Sequence, residues 1–147
     1  MSRKTLDQYR LRFGELFFAV DAAYFKLYKQ EGIGRREAEL VWRMLNADEP
    51  VTQAYLCKVM ALPKQSVHSL VMQEREKGYL AFTQSEDDGR VRVITMTEEG
   101  KARYGEQAKK IREVEKKTFS KLSQEEREQL IRSLEVFLDA FEDEIGK

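Results

Sequence analysis

The sequence predicts a mainly α fold that carries one small β-hairpin. Three observations predict it. Apolar residues recur at every third or fourth position over most of the chain, a period of two appears only between Gly78 and Thr97, and long striped segments stand at both ends. A chain of 147 residues can bury one sizeable core and is short for two, so a single domain over 1–147 is expected. With 41% hydrophobic and 35% charged residues, the composition is that of a folded, helix-rich protein.

The elements follow in order. Leu6, Tyr9, Phe13, Leu16, Phe17, Val20, Tyr24 and Leu27 form one stripe of a long helix, which Gly32-Ile33-Gly34 ends. A second helix is expected from about Arg35 to Asn46, with Leu40, Val41 and Leu45 inward and Trp42 near that face. Asp48-Glu49-Pro50 is a loop, because proline removes a donor and disfavours helix before it. Thr52 can cap a short helix reaching about Met60; Pro63 suits the start of the next, which runs to Lys77 and stops at Gly78. Leu80–Thr83 and Val91–Thr95 read as strands around the polar turn 85–89. Thr97-Glu98-Glu99 then returns the chain to helix, a capping hydroxyl followed by acids that suit the helix dipole. Tyr104, Ala108, Ile111 and Phe119 extend that helix. Ser123 caps the last one, striped by Leu130, Leu134, Phe137, Phe141 and Ile145.

Composition excludes several functions. The 26 basic and 26 acidic residues cancel, so net charge does not announce nucleic acid. The one cysteine, Cys57, cannot close an internal disulfide, and the one histidine, His68, cannot build a histidine metal cluster. Neither a Gly-rich phosphate loop nor a convincing nucleophile and base is present, so no catalytic residue, metal or cofactor is assigned and an enzyme is not expected. No run is apolar enough to span a bilayer, and the start MSRKTLDQYR has no hydrophobic signal core, so a cytoplasmic protein with no membrane partner is expected.

Two short helices joined by a tight turn, then a hairpin, give residues 52–96 the order of a winged helix-turn-helix. Its second helix fits a major groove about 12 Å wide, and its hairpin can lean into the neighbouring minor groove. On that helix Val67, Leu70 and Val71 face inward, which leaves Lys64, Gln65, Ser66, His68 and Ser69 outward near its N-terminal end. Such short polar groups with one cation suit base edges and phosphates of double-stranded DNA. The other reading of the same residues is a solvated helix face.

The chain resembles the MarR (multiple antibiotic resistance regulator) family. The residues that carry the resemblance are Val67, Leu70, Lys77-Gly78-Tyr79-Leu80, Asp88-Gly89-Arg90 and Met96-Thr97-Glu98-Glu99-Gly100. The last two match the family's Asp-x-Arg in the wing and Leu-Thr-x-x-Gly opening the next helix, and the likeness covers nearly the whole chain. It implies a homodimer whose end helices, residues 1–32 and 101–147, intertwine across a twofold axis and carry the 35–97 lobe. Tyr9, Phe13, Phe17 and Tyr24 agree, since they offer more apolar surface than a monomer of this size readily covers, although they also read as ordinary core. A twofold dimer sets its recognition helices about 34 Å apart, which implies a pseudo-palindromic operator.

The resemblance also assigns roles. Arg90 would approach the minor groove or backbone, Asp88 would orient it, and Arg92 would add a phosphate contact; a surface salt bridge within the hairpin is the competing account. A small aromatic effector would release DNA from a pocket between the first two helices, near Phe17, Tyr24 and Trp42, residues that also read as plain core. The expected function is therefore a sequence-specific DNA-binding transcription regulator, a repressor. Its rival is a helical protein-interaction module or antagonist that kept the fold and lost specific DNA binding.

The pattern departs from the family at two places. Glu74 stands on the buried side of the recognition helix where the family carries leucine, so it must find a cation or turn to water. The wing tip Glu86-Asp87-Asp88 is acidic, which predicts modest, salt-sensitive affinity. His68 reads as a neutral polar contact or a pH sensor, and Cys57 as a small buried residue or an oxidant sensor.

Overall fold

Thr5 opens the first helix by accepting from the Gln8 N–H at 3.3 Å while the Gln8 side chain accepts from the Thr5 N–H at 2.9 Å. We describe residues 5–146 in a computed structural model; the outermost ends of the expected domain, residues 1–4 and 147, lie outside the described residues. The elements are α1 (Leu6–Gln30), α2 (Arg35–Asn46), α3 (Gln53–Met60), α4 (Lys64–Glu76), β1 (Leu80–Gln84), β2 (Arg92–Met96), α5 (Glu98–Ser120) and α6 (Gln124–Ile145). The mainly helical class, the hairpin and the order of elements match the expectation from sequence. The chain divides into two compact units, one ending at Ile111 and the other beginning at Arg112.

In the first unit, α1 stops where Gly32 takes a φ of 66°, a left-handed turn that glycine adopts without strain. Gly34 then leads into α2, its N–H donated to the Glu37 carboxylate at 3.1 Å. Thr52 starts α3 by accepting from the Tyr55 N–H at 3.1 Å. The corner between α3 and α4 turns on Ala61, whose φ of 50° is the sole left-handed value among the described non-glycine residues. α4 ends at Glu76, one residue before the expected Lys77, and the chain turns away at Gly78, φ 83°, the left-handed position that the sequence predicts.

β1 and β2 pair antiparallel, with Leu80 opposite Met96 and Gln84 opposite Arg92. Both strands run one residue past the expected C-terminal end, and β2 also starts one residue later, because side-chain period alone locates a strand edge poorly. The Ile94 N–H donates to the Val51 carbonyl at 2.8 Å, which ties the hairpin to the segment before α3. Thr97 joins wing to α5: its hydroxyl donates to the Gly78 carbonyl at 2.6 Å and accepts from the Gly100 N–H at 3.0 Å.

Leu40, Val51, Leu56, Met60, Val67, Val71, Leu80 and Ile94 form the lobe's core, with Cys57 half-buried against it. A second cluster joins Ile33, Ala38, Val41, Tyr104 and Ile111. Leu45 departs from its expected inward position and is 44% exposed; Met44 makes the core contact in that turn. In the second unit, Ser123 and Glu126 form the capping box that starts α6, and the Arg127 side chain donates to the Phe119 carbonyl at 2.8 Å.

Candidate nucleic-acid interface

α4 is fixed from below and open above. Val67 and Val71 are buried in the lobe's core, while Lys64, Gln65, Ser66, His68 and Ser69 are all exposed on the first turns. The division follows from helical spacing: residues four apart share a side, so the valines face inward together. With no acidic residue in the first turn, the positive end of the α4 dipole is uncompensated on this polar edge.

Gln53 braces that edge from α3. Its Nε2 donates to the Lys64 carbonyl at 3.2 Å, and its Oε1 lies 3.3 Å from Nδ1 of His68. Sequence reasoning passed over Gln53, because two residues fifteen positions apart on different helices carry no local signal of contact.

The far end of α4 holds Glu74, which is 2% exposed. Its carboxylate accepts from Lys77 Nζ at 2.8 Å and from the Tyr104 hydroxyl through a short hydrogen bond. Lys77 Nζ also donates to Glu37 at 3.2 Å, so one ammonium joins carboxylates on α2 and α4. Of the two outcomes expected for Glu74, the structure takes the buried, cation-paired one. Burial, then the bond to Glu74, pushes the Tyr104 hydroxyl far above its usual range. The bond to Glu74 raises the Lys77 ammonium. Burial works against the Glu37 charge, but the Gly34 N–H and Lys77 outweigh it and hold that carboxyl below its ordinary range. Lys77, three residues after Glu74, was the one partner that helical spacing could have revealed.

In the wing, Asp88 accepts from the Arg90 backbone N–H at 3.0 Å, so this carboxylate fixes the main chain that bears Arg90. Arg90, Arg92, Glu86 and Asp87 are exposed. The Arg92 and Arg75 guanidinium groups lie 5.9 and 5.1 Å from the centre of the Phe82 ring. The wing therefore brings basic groups from β2 and α4 to one aromatic side chain of β1.

The three aromatic residues expected around a ligand are each tied to a neighbour on their own helix. Phe17 stacks on Phe13 with ring centres 6.2 Å apart, Tyr24 rests against Tyr28 at 5.8 Å, and Trp42, 51% exposed, has the Arg43 guanidinium 5.4 Å from its ring. Among the described residues no group of three His, Cys, Asp or Glu could hold a metal ion, and no helix is long and apolar enough to cross a membrane.

Comparison with known proteins accords with this geometry. Residues 32–91 match the MarR family. No curated protein matches the sequence. Among solved structures, a MarR family regulator from Neisseria meningitidis is 22% identical, with 98% of each chain covered and a TM-score of 0.77. The S. aureus MepR–DNA complex is 20% identical, covering 95% of this chain and 99% of that one, with a TM-score of 0.69. CouR from Rhodococcus jostii RHA1 bound to p-coumaroyl-CoA is 20% identical, covering 92% of this chain and 95% of that one, with a TM-score of 0.72. Residues 32–91 thus match the MarR family, and the chain shares the fold of these solved structures.

Proposed function

We propose that the chain is a sequence-specific DNA-binding transcription regulator, a repressor, that acts as a homodimer on a pseudo-palindromic operator. One observation carries the reading: Lys64, Gln65, Ser66, His68 and Ser69 stand exposed on a helix whose opposite side is locked into the core by Val67 and Val71. Such an edge holds its shape before DNA arrives, so little ordering cost opposes binding. In this reading Lys64, Gln65, Ser66, His68 and Ser69 meet the major groove. Arg90 and Arg92 meet the backbone or minor groove, with Asp88 holding the turn.

Exposed apolar side chains on the end helices support the dimer. Leu16, Phe17 and Val20 on α1, and Leu134, Leu138 and Phe141 on α6, are each between 46 and 57% exposed. Faces of that kind mark protein contacts. The S. aureus MepR–DNA complex supports the DNA partner, and p-coumaroyl-CoA on CouR supports an effector that carries an aromatic group; in this chain we place a small aromatic effector near Phe17, Tyr24 and Trp42. The protein works in the cytoplasm by binding, without catalysis.

Selection of bound duplexes from a random library by the purified full chain, with light scattering for its mass, tests the proposal. A dimer should enrich a palindrome with half-sites about one helical turn apart. Gln65→Ala should relax preference at particular bases, whereas Arg90→Ala should weaken all duplexes alike and lower the salt slope by about 1. A monomer, or a library with no enriched sequence, overturns the proposal. One observation favours a second reading: the exposed acids Glu86, Asp87 and Asp88 flank Arg90 and repel phosphate. A protein-interaction module of this fold would show only weak, sequence-blind binding.

A further inference from the structure

We infer that Gln53 locks His68 with its proton on Nδ1, so that the imidazole reads amino groups on base edges: adenine or cytosine in the major groove. The inference rests on the DNA-binding reading above, and it adds the sign of the readout and a positioning residue outside the recognition helix.

The Lys64 main-chain oxygen can only accept, so the end of the Gln53 amide that lies 3.2 Å from it is the NH2 end. That choice fixes the other end. The Gln53 Oε1, 3.3 Å from Nδ1 of His68, can only accept as well, so Nδ1 must supply the proton. In a neutral imidazole the remaining nitrogen, Nε2, then presents a lone pair. His68 is exposed on the outer edge of α4, one residue after buried Val67, which leaves that lone pair available to an approaching groove.

A lone pair selects its partner. In the major groove adenine and cytosine offer amino donors, whereas the guanine and thymine edges offer acceptors that repel it. His68 should therefore favour A or C over G or T at one position of each half-site. The frame behind the lock is firm. Thr52 caps α3 and makes Gln53 its first residue, and the left-handed turn at Ala61 joins α3 to α4 over the shared core of Leu56, Met60 and Val67.

The chain has a single histidine, so nitrogen NMR of the full protein gives one imidazole to interpret. At alkaline pH, where the ring is neutral, the wild type should show the proton on Nδ1. Gln53→Ala should move it to Nε2, the form a free histidine side chain prefers. Gln53→Glu keeps an accepting oxygen and should restore the Nδ1 form, which loss of packing alone would not produce. A wild-type ring protonated on Nε2, or one unmoved by Gln53→Ala, overturns the lock. Library selection supplies the second arm: wild type should enrich A or C at one column, and His68→Ala should cut that preference roughly threefold to tenfold, the range of one hydrogen bond. Gln53→Ala should flatten the same column or turn it toward G or T. Enrichment of G or T at the column that His68→Ala abolishes overturns the base reading, as does a site in which no column responds. A wild type that selects no site overturns the regulator reading and the base reading with it, while the NMR arm still decides the lock.

Discussion

α4 and α6 look alike as sequences and differ as structures. Both carry apolar residues at helical spacing, yet α4, with 13 residues, buries Val67, Val71 and Glu74, whereas α6, with 22, buries none. Periodicity names the face a helix will cover but not which chain supplies the cover. α4 finds its cover locally, within the lobe; α6 must find it in a second copy under the proposed function.

Charging the α6 face should have the largest effect. Leu134→Asp with Phe141→Asp places two carboxylates on exposed apolar positions, and a folded monomer with operator affinity reduced at least roughly 100-fold is expected. Light scattering and anisotropy check it; an intact dimer would mean that α6 is covered some other way.

The lobe should respond in the opposite manner, through stability instead of assembly. A Cβ at Gly100 would collide with the Tyr79 carbonyl oxygen and lie 2.9 Å from Met96 Cγ. Gly100→Ala should therefore destabilise the fold by about 2–3 kcal/mol in denaturant titration, with the dimer contact unchanged. Tyr104→Phe removes a buried donor from Glu74 and should cost about 1–2 kcal/mol.

Tyr104 and Lys77 hold their protons in the folded chain beyond their ordinary values of 10.0 and 10.5. The folded state thus binds more protons than the unfolded state above about pH 10, and stability should be flat up to there and fall beyond it. Glu37, held below its ordinary 4.5, contributes stability above that value and loses it as the pH drops further. Denaturant midpoints across the alkaline range should show a shallower fall for Tyr104→Phe than for wild type. The smallest effect is expected at Asp21, whose carboxylate meets Arg35 at 3.1 Å between α1 and α2 with both side chains well exposed. Asp21→Asn should change stability by less than about 1 kcal/mol.

Much of this fold was legible because its signals are local. Thr52, Gly78, Thr97 and Ser123 mark helix ends through hydrogen bonds that span at most a few residues or through a left-handed turn, and each does so in the structure. The polar edge of α4 followed from the spacing of Val67 and Val71. Long-range pairings were not legible. Tyr104 reads as one more apolar position in α5, and nothing near it in the sequence announces a carboxylate thirty residues earlier. Gln53 is hidden for the same reason. Leu45 fits the stripe of α2 yet stays exposed, since a stripe gives direction and not the extent of the surface opposite.

The knot of Glu74, Lys77, Tyr104 and Glu37 makes these positions hard to redesign one at a time. Exchanging Glu74 alone for leucine strands a buried phenol and separates an ammonium from its nearer counter-ion; exchanging Lys77 alone leaves two acids facing each other without mediation. An all-apolar set of similar volume could match or exceed the present stability, yet every single-step route toward it first passes through a worse protein. Anyone re-engineering the foot of α4 should change the cluster as a block.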